Sequence, residues 1–331
     1  MELPKEITKA PVQLLILFAT LALFLITNAL WSKTSLEFVP VLVGVLIVLE
    51  MGVFIGLEVK TGAKKHGWKH EVVDTIIALF VAVAIWLGLS FVLNTSSPIS
   101  AVVSCSMLPE LQRGDFILVQ GADVNAYEIS MSGEELDSLT GPAVIYYEGK
   151  NATINGSIYP YCNLNPVSEM CDAFYKSPEN VVEQKGAFIY RYEMCSMEHQ
   201  NRGTIMLPCL KSVTFRGEEY LTNFSNDVIV YAPPSTDLYY YLQGDVVHRV
   251  MFKIESGGET YYITRGDNNP VLDIQSYYYD AGLANHPVPE KYARGKVIAR
   301  VPFLGYFKLF IHGYFEEYEQ CRTQLQFTHV S

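Results

Sequence analysis

Three long apolar runs crowd the first part of this chain: Val12–Trp31, Phe38–Leu57 and Thr75–Leu93. Each approaches the roughly 20 apolar residues that span a hydrocarbon core of about 30 Å, so three transmembrane helices are predicted over 12–31, 38–57 and 75–93. A cleavable leader would combine a basic start, a short apolar core and a small-residue exit. The first run is too long for that and a second follows almost at once, so residues 1–95 are expected to be a membrane anchor. The whole chain of 331 residues is half apolar, with a mean hydropathy of +0.16 and a formal net charge of −11. That balance fits neither an ordinary soluble domain nor a basic nucleic-acid binder.

Orientation follows from the lysines. The segment EVKTGAKKHGWKHE between the second and third runs carries Lys60, Lys64, Lys65 and Lys69, whereas the link after the first run has only Lys33. Positive charge stays on the cytoplasmic side. The N-terminus, with Lys5 and Lys9, is therefore predicted to be cytoplasmic too, and everything after residue 95 to lie outside. Inside the runs, Glu50 is read as a carboxyl at a membrane rim or neutralised against another helix rather than as a proton relay. Asn28 is read as an interhelical hydrogen-bond partner.

Residues 96–312 read as mainly β. The runs ISAVVS, FILVQ, AVIYYE, VIVYA, VVHRVMFKI, TYYIT and KVIARV are separated by Gly, Pro, Asn and Asp, which predicts a coiled or barrel-like antiparallel sheet. Residues 313–331 are expected to form a C-terminal tail. The stretch 121–225 is too long for a simple connection and is expected to be an inserted subdomain. It holds four of the six cysteines, Cys162, Cys171, Cys195 and Cys209. In an oxidising compartment they allow two disulfides in any of three pairings, each adding roughly 2–4 kcal/mol, with Cys105 expected free. Zinc is disfavoured because no CxxC or paired-histidine spacing occurs. Sequons at Asn151, Asn155 and Asn223 agree with an exterior surface. The tyrosine clusters 239–241 and 277–279 suit either a membrane-interface belt or strand faces packed on a core.

The stretch SSPISAVVSCSMLPELQRGDFILV, residues 96–119, is built to present a serine. In extended backbone, side chains alternate, so Ser104 and Ser106 share one face and Cys105 takes the other. Pro109 and Gly114-Asp115 then break the chain before the strand Phe116–Val119. The pattern S-x-S-M-x-P-x-L-x-x-G-D behind a membrane anchor resembles the nucleophile box of the type I signal peptidases. NDVIVYAP (226–233), VVHRV (246–250) and TRGDNNPVLD (264–273) are similar to that family's strand, base and acid boxes, in the family's order. ARGKVIARVPFLGYFKL (293–309) resembles its closing strand, and the matched boxes cover about a third of the chain. Where the bacterial branch has a lysine base this chain has His248, which aligns it with the archaeal and endoplasmic-reticulum branch. It departs from the pattern with Cys105 between the two serines and Asn226 at the strand box, both where glycine is usual, and with three spans where one is common.

The resemblance implies an all-β catalytic domain on the outer face of a cell membrane and a serine endopeptidase that removes signal peptides after small residues. By the same resemblance Ser106 is the nucleophile, His248 the base, Asp273 the carboxylate that orients the imidazole, and Asp267 a supporting carboxylate. Ser104 and the Ser106 N–H would bind the oxyanion. Such a set meets the needs of peptide hydrolysis: an activated hydroxyl, a proton shuttle with an ordinary pKa of about 6.5, and donors for the developing charge. Which aspartate reaches the ring is open at this point, and Arg249 is expected to be an ion-pair partner of Asp267 or Asp245. No cofactor or metal is implied. The implied partners are signal-bearing preproteins, membrane lipids and the protein-export channel, with no nucleic acid. The rival readings are a relative restricted to a narrow precursor set and a catalytically idle membrane scaffold.

Overall fold

The computed structural model describes residues 15–20, 22–24, 26, 27, 38–242, 244–311 and 319–327. Two compact units emerge, one running to Leu89 with a second piece from Phe310, the other comprising Ser90–Leu309 and the segment from Tyr318.

In the first unit, one helix runs Phe38–His66 and the next Trp68–Val92, separated at Gly67 with φ +84°. The expected lysine-rich loop is therefore helical: Lys60, Lys64, Lys65 and Lys69 all lie within these two helices. Physically, EVKTGAKKH is rich in good helix formers and contains no proline, so the first helix continues past Leu57 until a glycine in the left-handed region stops it. The expectation of three spans is also revised. Among the described residues one helix, Trp68–Val92, is long and apolar enough to cross a membrane, and none of its residues is buried. The expected first span, 12–31, lies partly outside the described residues, and its described parts are helical. Asn28 lies outside them as well. Glu50 accepts a hydrogen bond from the Thr20 hydroxyl at 2.7 Å.

From Ile99 the second unit is mostly β. The chain forms β1 (Ile99–Ala101), β2 (Phe116–Gln120) and β3 (Tyr127–Ser130). It continues through β4 (Ala143–Tyr147), β5 (Lys150–Ile154), β6 (Val182–Lys185), β7 (Phe188–His199), β8 (Gly203–Phe215) and β9 (Glu218–Leu221). It returns as β10 (Val228–Tyr231), β11 (Val246–Ser256) and β12 (Glu259–Arg265). A small hairpin, β13 (Tyr277–Tyr278) and β14 (Leu283–Ala284), precedes β15 (Val288–Pro289) and β16 (Ala293–Val301), and β17 (Thr323–Gln326) comes last.

The strands make two large sheets. In the first the order is β1-β2-β16-β10-β11-β12-β15, all antiparallel, with β3 added parallel to β11. This curled, half-barrel sheet carries the resemblance boxes. Its centre, β10, is buried on both faces: Val228 and Val230 pack with Met107, Leu111 and Ile117, while Ile229 and Tyr231 pack with Val246, Val250 and Tyr262. A strand covered on both sides is a rigid reference for its neighbours.

The second sheet, β5-β4-β6-β7-β8-β9 with β17 on β7, is built mainly from the stretch 121–225. That stretch is not self-contained, since its β3 joins the first sheet and β17, from the segment expected to be a tail, pairs with β7. One apolar core links the two sheets, uniting Tyr190, Tyr192 and Phe215 of the second with Phe252, Ile254 and Ile263 of the first. The disulfides are Cys162–Cys171, Cys195–Cys209 and Cys105–Cys321. The last overturns the expectation of a free Cys105. Ser104, Cys105 and Ser106 lie in a bend and turn rather than in extended backbone, and the Cys105 sulfur there meets a cysteine 216 positions later.

Candidate active site

Ser106 lies in the loop between β1 and β2. The loop is closed at its base by Val102 N–H to Asp115 O (2.9 Å) and Gly114 N–H to Val102 O (2.9 Å). Gly114 has φ +91°, and a Cβ there would fall 2.3 Å from the Tyr306 ring, so this turn requires glycine. Val102, Met107 and Leu111 are buried and anchor the loop to the sheet. His248 projects from β11 opposite Ile229 of β10. Asp273 opens a short 3₁₀ turn, Asp273–Gln275, beyond β12.

These elements bring three buried side chains into line. Ser106 Oγ lies 2.9 Å from His248 Nε2, and His248 Nδ1 lies 2.6 Å from Asp273 Oδ2. A carboxylate accepts only, so Nδ1 carries the proton and Nε2 is left to accept from the serine hydroxyl. Ser104 Oγ sits 3.2 Å from Ser106 Oγ.

Asp273 is engaged at both oxygens. Oδ2 accepts from Thr264 Oγ1 (2.6 Å) and Tyr231 OH (3.3 Å), Oδ1 from Tyr239 OH (3.2 Å). Burial, and secondarily the charge of Asp273, pushes both phenols well above the ordinary tyrosine pKa, which keeps them as donors. Asn285 Nδ2 holds the Asp273 carbonyl at 3.0 Å. The Tyr239 ring stands edge-on to the imidazole, 6.1 Å between centroids, and also lines a cavity of about 260 Å³ with Tyr159, Gln275 and Tyr277.

Asp267 does not join this line. Arg249 Nε and Nη2 bind its two oxygens at 2.8 and 2.7 Å, and Arg249 Nη1 reaches Asn226 O at 2.5 Å. Strand alternation explains the split: His248 and its neighbour Arg249 face opposite sides of β11, so the first meets Asp273 and the second Asp267. Across from Arg249 in register, burial pushes the Arg265 guanidinium down to about 10 while it lies over the Phe327 ring at 4.5 Å. Asn226, in place of the usual glycine, donates from Nδ2 to Val250 O at 2.9 Å where β11 breaks register with β12.

Thr264, Tyr231 and Asn268 were not among the residues that sequence reasoning singled out, and Tyr239 was read only as part of an interface belt or a packed face. The register held a signal for two of them. Tyr231 pairs with Val246 and Thr264 with Val250, both on the His248 face of β11. For metals, Glu193, Cys195 and Cys209 come close enough among the described residues to share an ion, but the two sulfurs are joined in a disulfide and offer no thiolate.

No known family model matches the chain. A stretch of 69 residues is 35% identical to the signal peptidase complex catalytic subunit SEC11 of Colletotrichum graminicola. Part of the chain is thus similar to a signal peptidase catalytic subunit. The match takes in 21% of this chain and spans 38% of the length of that relative.

Proposed function

We propose that the chain is a membrane-bound serine endopeptidase of the signal peptidase kind, cleaving N-terminal signal peptides from exported preproteins after small residues. The observation that carries this reading is the unbroken hydrogen-bonded line Ser106, His248, Asp273 on a curled β sheet. In it, His248 Nε2 takes the serine proton as Oγ attacks the scissile carbonyl, then returns it to the leaving amine. Asp273 holds the ring in the tautomer that leaves Nε2 basic. The oxyanion is received by the Ser106 N–H and the Ser104 hydroxyl, whose separation from Ser106 Oγ suits a donor beside the reacting centre. Asp267 acts one step removed, fixing Arg249 beside His248. Anchorage through Trp68–Val92, with catalysis on the outer face, completes the reading, and the stretch 121–225 is taken as an inserted subdomain within the peptidase domain, 96–312. The test is incubation of the purified protein in detergent with a signal-bearing preprotein and mapping of the new N-terminus by mass spectrometry. One cut after a small residue, lost in Ser106→Ala, supports it; an uncut preprotein refutes it.

A further inference from the structure

The segment 319–327 lies across the back of the Ser106 loop and is tied down on both sides. On one side β17 pairs with β7 from Thr323↔His199 to Gln326↔Ser196, Gln200 N–H donates to Arg322 O at 3.0 Å, and His199 Nε2 meets Glu319 at 2.9 Å. On the other, Cys321 is bonded to Cys105, the residue between the two serines. Asn268 fills the space between. Its backbone N–H donates to Ser106 O at 2.7 Å, and its Nδ2 donates to Cys105 O at 3.1 Å. The same Nδ2 lies 2.9 Å from Thr323 O and 3.4 Å from Gln320 O, while Oδ1 accepts from Leu325 N–H at 2.7 Å. Asn268 is 2% exposed, so these bonds form without competition from water. Gly266 permits the approach: a Cβ there would fall 2.6 Å from the Ser106 carbonyl.

The carbonyls just before and at Ser106 are thus both gripped by one asparagine, and that asparagine is gripped by the returning segment. We infer that Asn268 is a positioning residue for the Ser106 nucleophile and that the strap 319–327, bridged by Cys105–Cys321 and braced on β7 of the second sheet, sets its geometry. The strap acts through the backbone carbonyls of Cys105 and Ser106, so it fixes where Oγ points rather than how substrate binds. The second sheet gains a role on this account, as the abutment against which the nucleophile loop is held. The inference rests on Ser106 being the nucleophile.

The test uses the full chain in detergent and steady-state cleavage of a signal-bearing preprotein, with thermal melting and folded fraction measured for each variant. Cys105→Ser combined with Cys321→Ser is expected to lower kcat about tenfold with KM within about twofold, the loss that a misaligned reacting atom produces. Asn268→Ala should lower kcat further, and in the bridge-free background its effect should be less than multiplicative, because both changes loosen one support. Cys162→Ser with Cys171→Ser, which opens a bridge remote from the strap, should lower the melting temperature and leave kcat unchanged. Wild-type kcat in the Cys105/Cys321 variant overturns the proposal. So does a loss that merely follows the folded fraction or is shared by the Cys162/Cys171 control. Ser106→Ala run alongside separates the two levels: cleavage by that variant removes the nucleophile assignment itself, whereas an inert Ser106→Ala beside a fully active bridge-free variant removes only the strap.

Discussion

Two buried carboxylates, Asp273 and Glu183, sit among tyrosine hydroxyls in the same unit, and only Asp273 is hydrogen-bonded to an imidazole. Asp273 receives His248, Thr264 and Tyr231 at one oxygen and Tyr239 at the other. Glu183, on β6, receives Ser157 Oγ (2.8 Å), Ile158 N–H (3.2 Å) and Tyr192 OH (2.5 Å), all at Oε2, and its Oε1 has no partner among the described residues. Burial pushes Glu183 above the usual carboxylate range and pushes its neighbour Lys185 below the usual lysine range. Gln275, two positions after Asp273, donates to both Ser157 and Tyr192 and so ties the two regions together. The difference lies in the donors. A hydroxyl or amide that donates to a carboxylate ends there, whereas an imidazole has a second nitrogen that can act on a nucleophile.

The strongest way to break this contrast is to remove the relay. Ser106→Ala and His248→Ala should each slow preprotein cleavage by about 10⁴-fold or more, roughly 5.5 kcal/mol of transition-state stabilisation, and Asp273→Ala somewhat less. Glu183→Gln should leave kcat within about threefold, since it touches no reacting group. Rates are read from initial velocities per folded molecule, and an active His248→Ala would end the relay assignment.

Asp267→Ala tests the neighbouring carboxylate. It strands a largely buried guanidinium, so unfolding free energy should fall by about 3–5 kcal/mol, visible as a lower melting temperature. Activity per folded molecule should drop less than in Asp273→Ala, and the reverse order would show that the Arg249 pair governs the imidazole. Tyr239→Phe sharpens the comparison by deleting one donor to Asp273, worth about 0.5–1.5 kcal/mol and hence a two- to tenfold loss in kcat. Tyr192→Phe, its counterpart at Glu183, should move melting temperature and not kcat.

The smallest effect belongs to a partly exposed imidazole paired with a buried carboxylate. His286 Nδ1–H donates to Asp237 Oδ1 at 2.7 Å, which raises the imidazole above its ordinary pKa despite partial burial. A raised folded-state value means that the pair stabilises fully below about pH 6.5 and fades as pH climbs through the folded-state value. The melting difference between wild type and His286→Gln should therefore be largest near pH 6 and shrink toward pH 9, and a difference that grows with pH would contradict the assigned pair.

Much of the first sheet is legible from the sequence because its strands are apolar or aromatic runs bounded by turn residues, as at Phe116–Gln120 and Val246–Ser256. Ser104 and Ser106 do bring their hydroxyls together, 3.2 Å apart, but in a bend and turn rather than through the strand alternation expected. Other features lie beyond local pattern. Nothing near Cys105 points to Cys321, because the pairing is made by a returning segment that local periodicity does not place. Tyr231 and Tyr239 read as generic strand or interface aromatics, and their bonds to Asp273 depend on where the loop after β12 folds. The lysines before Gly67 read as a loop from charge alone, whereas their helix propensity decides the local structure.

The Cys105–Cys321 bridge also sets an order of events during synthesis. Because its two halves are separated by 216 positions, a nascent chain can complete its strands as far as β16 while the loop bearing Ser106 still lacks its bridge and its hold through Asn268 on the final strand. The loop that carries Ser106 is therefore completed only after strands β2 to β16 have been made.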